Sequence, residues 1–479
     1  MITYSKLYVQ SSSTTTATFG YNFVVLFPSN NGNKNEKPTI SVTLMNPNSK
    51  QVTVKIENVK NANHFLDDAQ IITVNIEAMN YAKVHFNDSS INTCRSTIFE
   101  NFLECTDSRI YINSLQLPIA VLSHWYLTDA GDSFLVLPLS MATNKYSFSA
   151  PAPAENGITM VYFLPQSNNM EITVAGEVNK QPLSNSFSPK LPNGNLLVLQ
   201  TTGNLALTAN ANSAFAVIVA VSKLPISSDD NTKTDFGIYM PTPLVFTEII
   251  FGCYNVNDYH ALMLYDMNEL LITYVNNDNL LCDSKFTIFD EMGNSKFYSL
   301  IDSYNKVELE EYNLNVGINS SSAMLQILRH GGYDSDFING SFLNLDVSWS
   351  QFVTGLTTFF VPTDENIVTI IGDYEATSTT IIGKKFPIEI VWNWAPMSFY
   401  QKTFYYTTLS LTNGFYVITS SGSYIISVIG QKNNAAYGFI TAYNMQTSKD
   451  LPEVKTTIQP RTTTEISSSS KTAIETTTD

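Results

Sequence analysis

Charge is scarce in this chain. Asp, Glu, Lys and Arg make up 14% of its 479 residues, against roughly 25% in an average soluble protein, and Asn, Ser and Thr take their place. That composition favours an extracellular β-protein with a neutral, hydrogen-bonding surface over a cytosolic enzyme. The charge that remains is acidic, with 42 Asp and Glu against 26 Lys and Arg. A net −16 opposes phosphate backbones and anionic lipid heads, so nucleic acid is not an expected partner. The chain also lacks an apolar run of the roughly 18 residues that a spanning helix needs, so direct membrane insertion is not expected. Its first residues, Met1 to Lys6, show no charged segment leading into an apolar one. A signal peptide upstream of Met1 is favoured over a cytosolic location.

Cysteine is equally rare: Cys94, Cys105, Cys253 and Cys282. No Cys-x-x-Cys occurs and no histidine flanks them, which argues against zinc. Of the three connectivities possible, two local disulfides, Cys94–Cys105 and Cys253–Cys282, are preferred, with free buried thiols as the alternative. The five histidines, His64, His85, His124, His260 and His330, never fall at the spacing of a helical metal site. Nucleophile-elbow, phosphate-loop and dinucleotide patterns are missing too. A hydrolase triad can assemble from distant positions, yet these histidines read as structural or exposed. No catalytic residue, cofactor site or metal site is assigned, and no cofactor is expected.

What the sequence does contain is β-periodicity. Hydrophobic residues make up 44%, and runs such as 39–44, 51–56, 71–76 and 158–163 alternate apolar and polar with a period of two. Val, Ile, Thr, Tyr and Phe fill them, as suits a pleated, half-buried surface. An apolar run, a short polar stretch and a second apolar run recur at 110–122, 205–221, 314–328 and 415–429. Each reads as a hairpin, and the copies lie roughly 100 residues apart, the mark of an internal repeat. The stretches 39–44 and 51–56, separated by Asn46-Pro47-Asn48-Ser49, read as a further hairpin. The expected fold is all-β, with about four tandem sandwich-like modules. Their expected limits are 19–126, 127–228, 235–340 and 341–446, after a polar lead-in at 1–18. Residues 447–479 form a Thr/Ser-rich tail unable to bury a core, resembling an O-glycosylated stalk.

Three sequons, at Asn87, Asn319 and Asn339, fit an oxidising compartment, with Asn319 expected in the turn of the third hairpin. For a ligand surface the candidates are Trp392 and Trp394, with Tyr333, Asp334 and Asp336 of the Gly/Asp loop after the third hairpin. That loop departs from the calcium-binding order of an EF-hand.

The landmarks taken in order resemble a known family. They are Phe19-Gly20-x-x-Phe23-Val-Val-Leu-Phe-Pro28, Asp132-Ser-Phe-Leu-Val-Leu-Pro138, Ala216-Val-Ile-Val-Ala-Val221, Ala323-Met-Leu-Gln-Ile-Leu328, Phe359-Phe-Val-Pro362, Leu411-Thr-Asn-Gly-Phe415 and Tyr437-Gly-Phe-Ile-Thr-Ala-Tyr443. Over about residues 19–446 the chain resembles the N-terminal domain family of IgGFc-binding protein. The resemblance implies a secreted, non-enzymatic binding or adhesion role in mucosal, matrix or defence settings. Its partner would be an extracellular protein or glycan, immunoglobulin Fc being the namesake ligand. Two other readings stand beside it: an all-β carbohydrate-active enzyme, which needs two carboxylates facing across a cleft, and a coat or matrix protein self-associating through edge strands.

Overall fold

The structure, a computed structural model, describes residues 16–29, 36–58, 70–95, 98–167, 170–188, 196–226, 232–243, 258–263, 267–274, 285–299, 304–309, 315–320, 324–334, 338–384, 387–399 and 402–445. Within them the chain is all-β apart from short 3-10 turns and one helix, Tyr374–Thr379. The Asp373 side chain caps that helix by accepting from the Ala376 N–H at 2.9 Å. The Cys94–Cys105 disulfide is formed, with Cα atoms 5.9 Å apart. Cys253 and Cys282 lie outside the described residues, as do His64, most of the lead-in and the whole Thr/Ser-rich tail.

One order of antiparallel pairing recurs along the chain. In the first unit, one sheet runs Asn22–Val25, Ile110–Ser114, Val52–Asn58, Gln70–Ile76, and the other Gly131–Val136, Ala120–Tyr126, Thr39–Asn46, Asn80–Phe86. Residues from both sheets, such as Val54, Ile112, Val42 and Trp125, meet in one core. A third unit repeats the order with Asp258–Met263, Asn315–Ser320, Lys285–Asp290, Ser295–Ser299 against Asn339–Asp346, Leu325–Asp334, Met267–Tyr274, Tyr304–Glu308. In the second and fourth units the sixth and seventh strands are continuous, as Leu205–Pro225 and Gly414–Lys432. The first half of Leu205–Pro225 pairs with Ile172–Val178 and the second half with Thr159–Pro165.

The recurring stretches are therefore not hairpins. Ile110–Ser114 pairs with Asn22–Val25 and Val52–Asn58, while Ala120–Tyr126 pairs with Thr39–Asn46 and Gly131–Val136. The polar residues between the two runs mark where the chain passes from one sheet to the other. Residues 39–46 and 52–58 likewise lie in different sheets. An apolar–polar–apolar pattern describes a turn within a sheet and a corner between sheets equally well. Only pairing partners distant in sequence tell them apart.

A true hairpin follows each stretch: Ala120–Tyr126 with Gly131–Val136, Leu205–Pro225 with Thr234–Tyr239, Leu325–Asp334 with Asn339–Asp346, and Gly414–Lys432 with Ala435–Ile440. The expected limit after residue 126 cuts the first of these, and the limit after 340 falls inside strand Asn339–Asp346. By sheet membership the units run 22–136, 143–239, 258–346 and 353–440. Strand Phe102–Cys105 crosses from the first stretch to pair with Leu196–Thr201 of the second unit.

The last strand of each unit is an edge strand, and the four edges lie against one another around a common centre: first on second, second on third, third on fourth, fourth on first. Packing edges together hides the backbone groups that an open sheet would leave for aggregation. The approach is close. A Cβ on Gly438 would stand 2.3 Å from the Phe342 ring, and one on Gly237 2.6 Å from Leu343. The circle closes where the ends meet: the Ala17 N–H donates to Asn444 Oδ1 and the Tyr443 N–H to Thr18 Oγ1, both at 3.4 Å.

Candidate functional site

Two aspartates sit at the centre of the four edges, and sequence reasoning missed both. Asp235 accepts four backbone N–H groups, one from each unit: Gly131 (2.7 Å), its own neighbour Phe236 (2.7 Å), Ser341 (3.0 Å) and Ala436 (2.8 Å). Asp132 accepts from Ser133 (2.7 Å), Ile238 (3.1 Å) and Leu343 (3.4 Å). Both are fully buried. Burial pushes the Asp235 carboxyl up to about 8, against the pull of its four donors, and pushes that of Asp132 well above the carboxylate range. These groups satisfy edge N–H groups that no strand pairs, so their chemistry is spent on joining the units. An acidic residue opening an apolar strand, as in Asp132-Ser-Phe-Leu-Val and Asp235-Phe-Gly-Ile-Tyr, is the sequence signal that could have found them.

The four described histidines divide into buried, His124, His260 and His330, and exposed, His85. His124 joins a chain of hydrogen bonds: Thr43 Oγ1 at 2.8 Å on Nε2, Ser133 Oγ at 2.7 Å on Nδ1, and Tyr126 OH 2.7 Å from Ser133 Oγ. Ser133 is 0% and His124 1% exposed, so this serine–histidine pair is closed to a substrate. Burial, aided by the charges of Lys83 and Lys432, holds His124 well below its ordinary value, as a neutral imidazole. His260 lies 2.8 Å from Asp346 and 3.3 Å from Asp258. Burial opposes its charge, but the two carboxylates outweigh it and raise it to about 10. Glu269 is buried beside His330 (2.9 Å) and Lys306 (2.6 Å). Burial alone would raise its carboxyl, and these two partners instead hold it at about 2. A cavity of about 20 Å³ bounded by Arg329, Asp346 and Ser427 lies between the third and fourth units, room for a water and not for a larger ligand.

The remaining candidates lie further out. Where the other units carry the outer strand of their first sheet, the fourth has only Ile381–Gly383 followed by an extended segment tied by the Gly383–Pro387 bridge and the Ile388 N–H donating to Ile382 O. Trp392 and Trp394 occupy that segment, their rings stacked at 5.6 Å and 21°. Both are half-buried, packed against the fourth core, and Trp394 Nε1 has no partner. Val391, just before Trp392, is 93% exposed. Tyr333 and Asp334 end strand Leu325–Asp334, their backbones paired with Gly340 and Asn339; Asp336 lies outside the described residues.

Of the sequons, Asn87 and Asn339 are exposed. Asn319 is not in a turn. It lies in strand Asn315–Ser320, paired with Tyr259 and Thr287, with its buried Oδ1 unpartnered. The run Asn-Ser-Ser-Ser reads as a turn by composition, and pairing on both sides makes its start a central strand. Compared with known protein families and with curated proteins, the chain matches none.

Proposed function

We propose that this chain is a secreted, non-enzymatic binding or adhesion protein of the IgGFc-binding N-terminal type, recognising an extracellular glycoprotein or glycan. The observation that carries the reading is the stacked Trp392–Trp394 pair on the segment that stands where the other units carry the outer strand of their first sheet. Indole rings offer a flat apolar platform, suited to polar ligands with apolar faces. Elaborated segments on a rigid scaffold are where binding residues concentrate. The disulfide supports an oxidising compartment, and no helix of the described residues is long and apolar enough to cross a membrane. Binding to mucus glycoproteins, measured by pull-down and by glycan array, is expected to fall more than roughly tenfold on Trp392→Ala with Trp394→Ala. Unchanged capture by that double variant would sink the proposal.

A further inference from the structure

The outward face of the first unit's second sheet gathers lysines that pair with no carboxylate of the described residues. Strand Asn80–Phe86 places Tyr81, Lys83 and His85 on one face, opposite Met45, Thr43 and Ser41. Lys432, at the end of strand Gly414–Lys432 in the fourth unit, reaches over the same sheet and sets its Nζ 4.3 Å above the Tyr126 ring. Tyr81 leans on the fourth unit as well, 5.0 Å from Phe360 and 6.2 Å from Phe415, and keeps 37% of its surface exposed. The two units thus meet over this face.

Neither Lys83 nor Lys432 forms an ion pair with a carboxylate of the described residues. Burial and the charge of Lys432 both lower Lys83, and burial together with the two lysines lowers His85. The charges acting on this cluster are its own. Two lysines this close repel each other, a cost that a bound anion relieves.

We propose that the surface formed by Tyr81, Lys83, His85 and Lys432 binds an acidic sugar, its ring against Tyr81 and its carboxylate or sulfate between the two lysines. The proposal rests on the binding role above and names a ligand class for it. Charge-assisted hydrogen bonds supply the affinity, and the tyrosine face distinguishes a sugar from a bare anion.

Calorimetric titration of the full chain with 3′-sialyllactose, 6-sulfolactose, lactose and inorganic sulfate tests it. Expected is binding of at least one acidic sugar, with lactose about tenfold weaker or more, and a roughly tenfold loss in Lys83→Ser and in Lys432→Gln. Added salt should weaken it. Lys83 lies on an edge strand of its sheet, so its variant carries the test if Lys432→Gln fails to fold. Lactose binding as tightly as the acidic sugars would overturn the proposal. So would unchanged affinity in a natively folded Lys83→Ser, or sulfate matching the sulfated sugar. Acidic-sugar binding lost only on changing Trp392 and Trp394 overturns this site and leaves the tryptophan reading standing.

Discussion

His260 shows how a residue's chemistry follows from its neighbours. Asp258 is two positions away in sequence, on the same face of one strand, but Asp346 comes from 86 residues further on. Together they hold the imidazole charged in the folded state, up to about 10, against roughly 6.5 in an unfolded chain. Because the folded value is the higher one, this contribution to stability is complete below about pH 6.5 and is lost as pH rises through about 10. Urea midpoints should therefore fall across that window, and the fall should shrink in His260→Gln. A profile that stays the same in the variant would refute the assignment. Sequence could show one carboxylate of this trio and not the other, since alternation places neighbours within a strand but says nothing of which strand lies across.

An edge strand has to hide its unpaired N–H groups, and Asp235 does this for four units at once. Replacing it with Ala leaves four buried donors without an acceptor, a loss of roughly 3–5 kcal/mol. The surface change Glu308→Ala should cost less than about 0.5 kcal/mol. Equal urea midpoints for the two variants would show the carboxylate to be dispensable. At this scale the sequence was legible in part. Period-two alternation located most strands, including Thr39–Asn46, Val52–Asn58 and Thr159–Pro165. It misread the recurring stretches as hairpins because a sheet-to-sheet corner and a turn share one polarity pattern. Trp392 and Trp394 stood out by composition, and their stacking on an unpaired segment followed only from the loss of an outer strand in the fourth unit.

Ring closure makes the units interdependent. The edge of the fourth unit lies against those of the third and the first, and Thr18 and Asn444 tie the two ends. A chain cut after residue 346 therefore bares the edges Gly131–Val136 and Asn339–Asp346. It is expected to form oligomers or aggregates in light scattering, where the full chain scatters as a discrete species. A monodisperse truncated monomer with the strand content of the intact units would contradict the closed arrangement.

By itself the sequence determined the all-β class, the recurrence near 100 residues and the acidic, charge-poor composition, and it made the local Cys94–Cys105 pairing the preferred one. Each depends on local spacing or composition, which a linear chain displays directly. The tertiary structure alone decided that the repeated stretches cross between sheets and that four edges share one buried centre. It also brought Lys83 and Lys432, 349 positions apart in sequence, over a single sheet face. The physical reason is that burial and charge act through space, so an Asp in an apolar strand or an unpaired lysine acquires its meaning only from what the fold sets beside it.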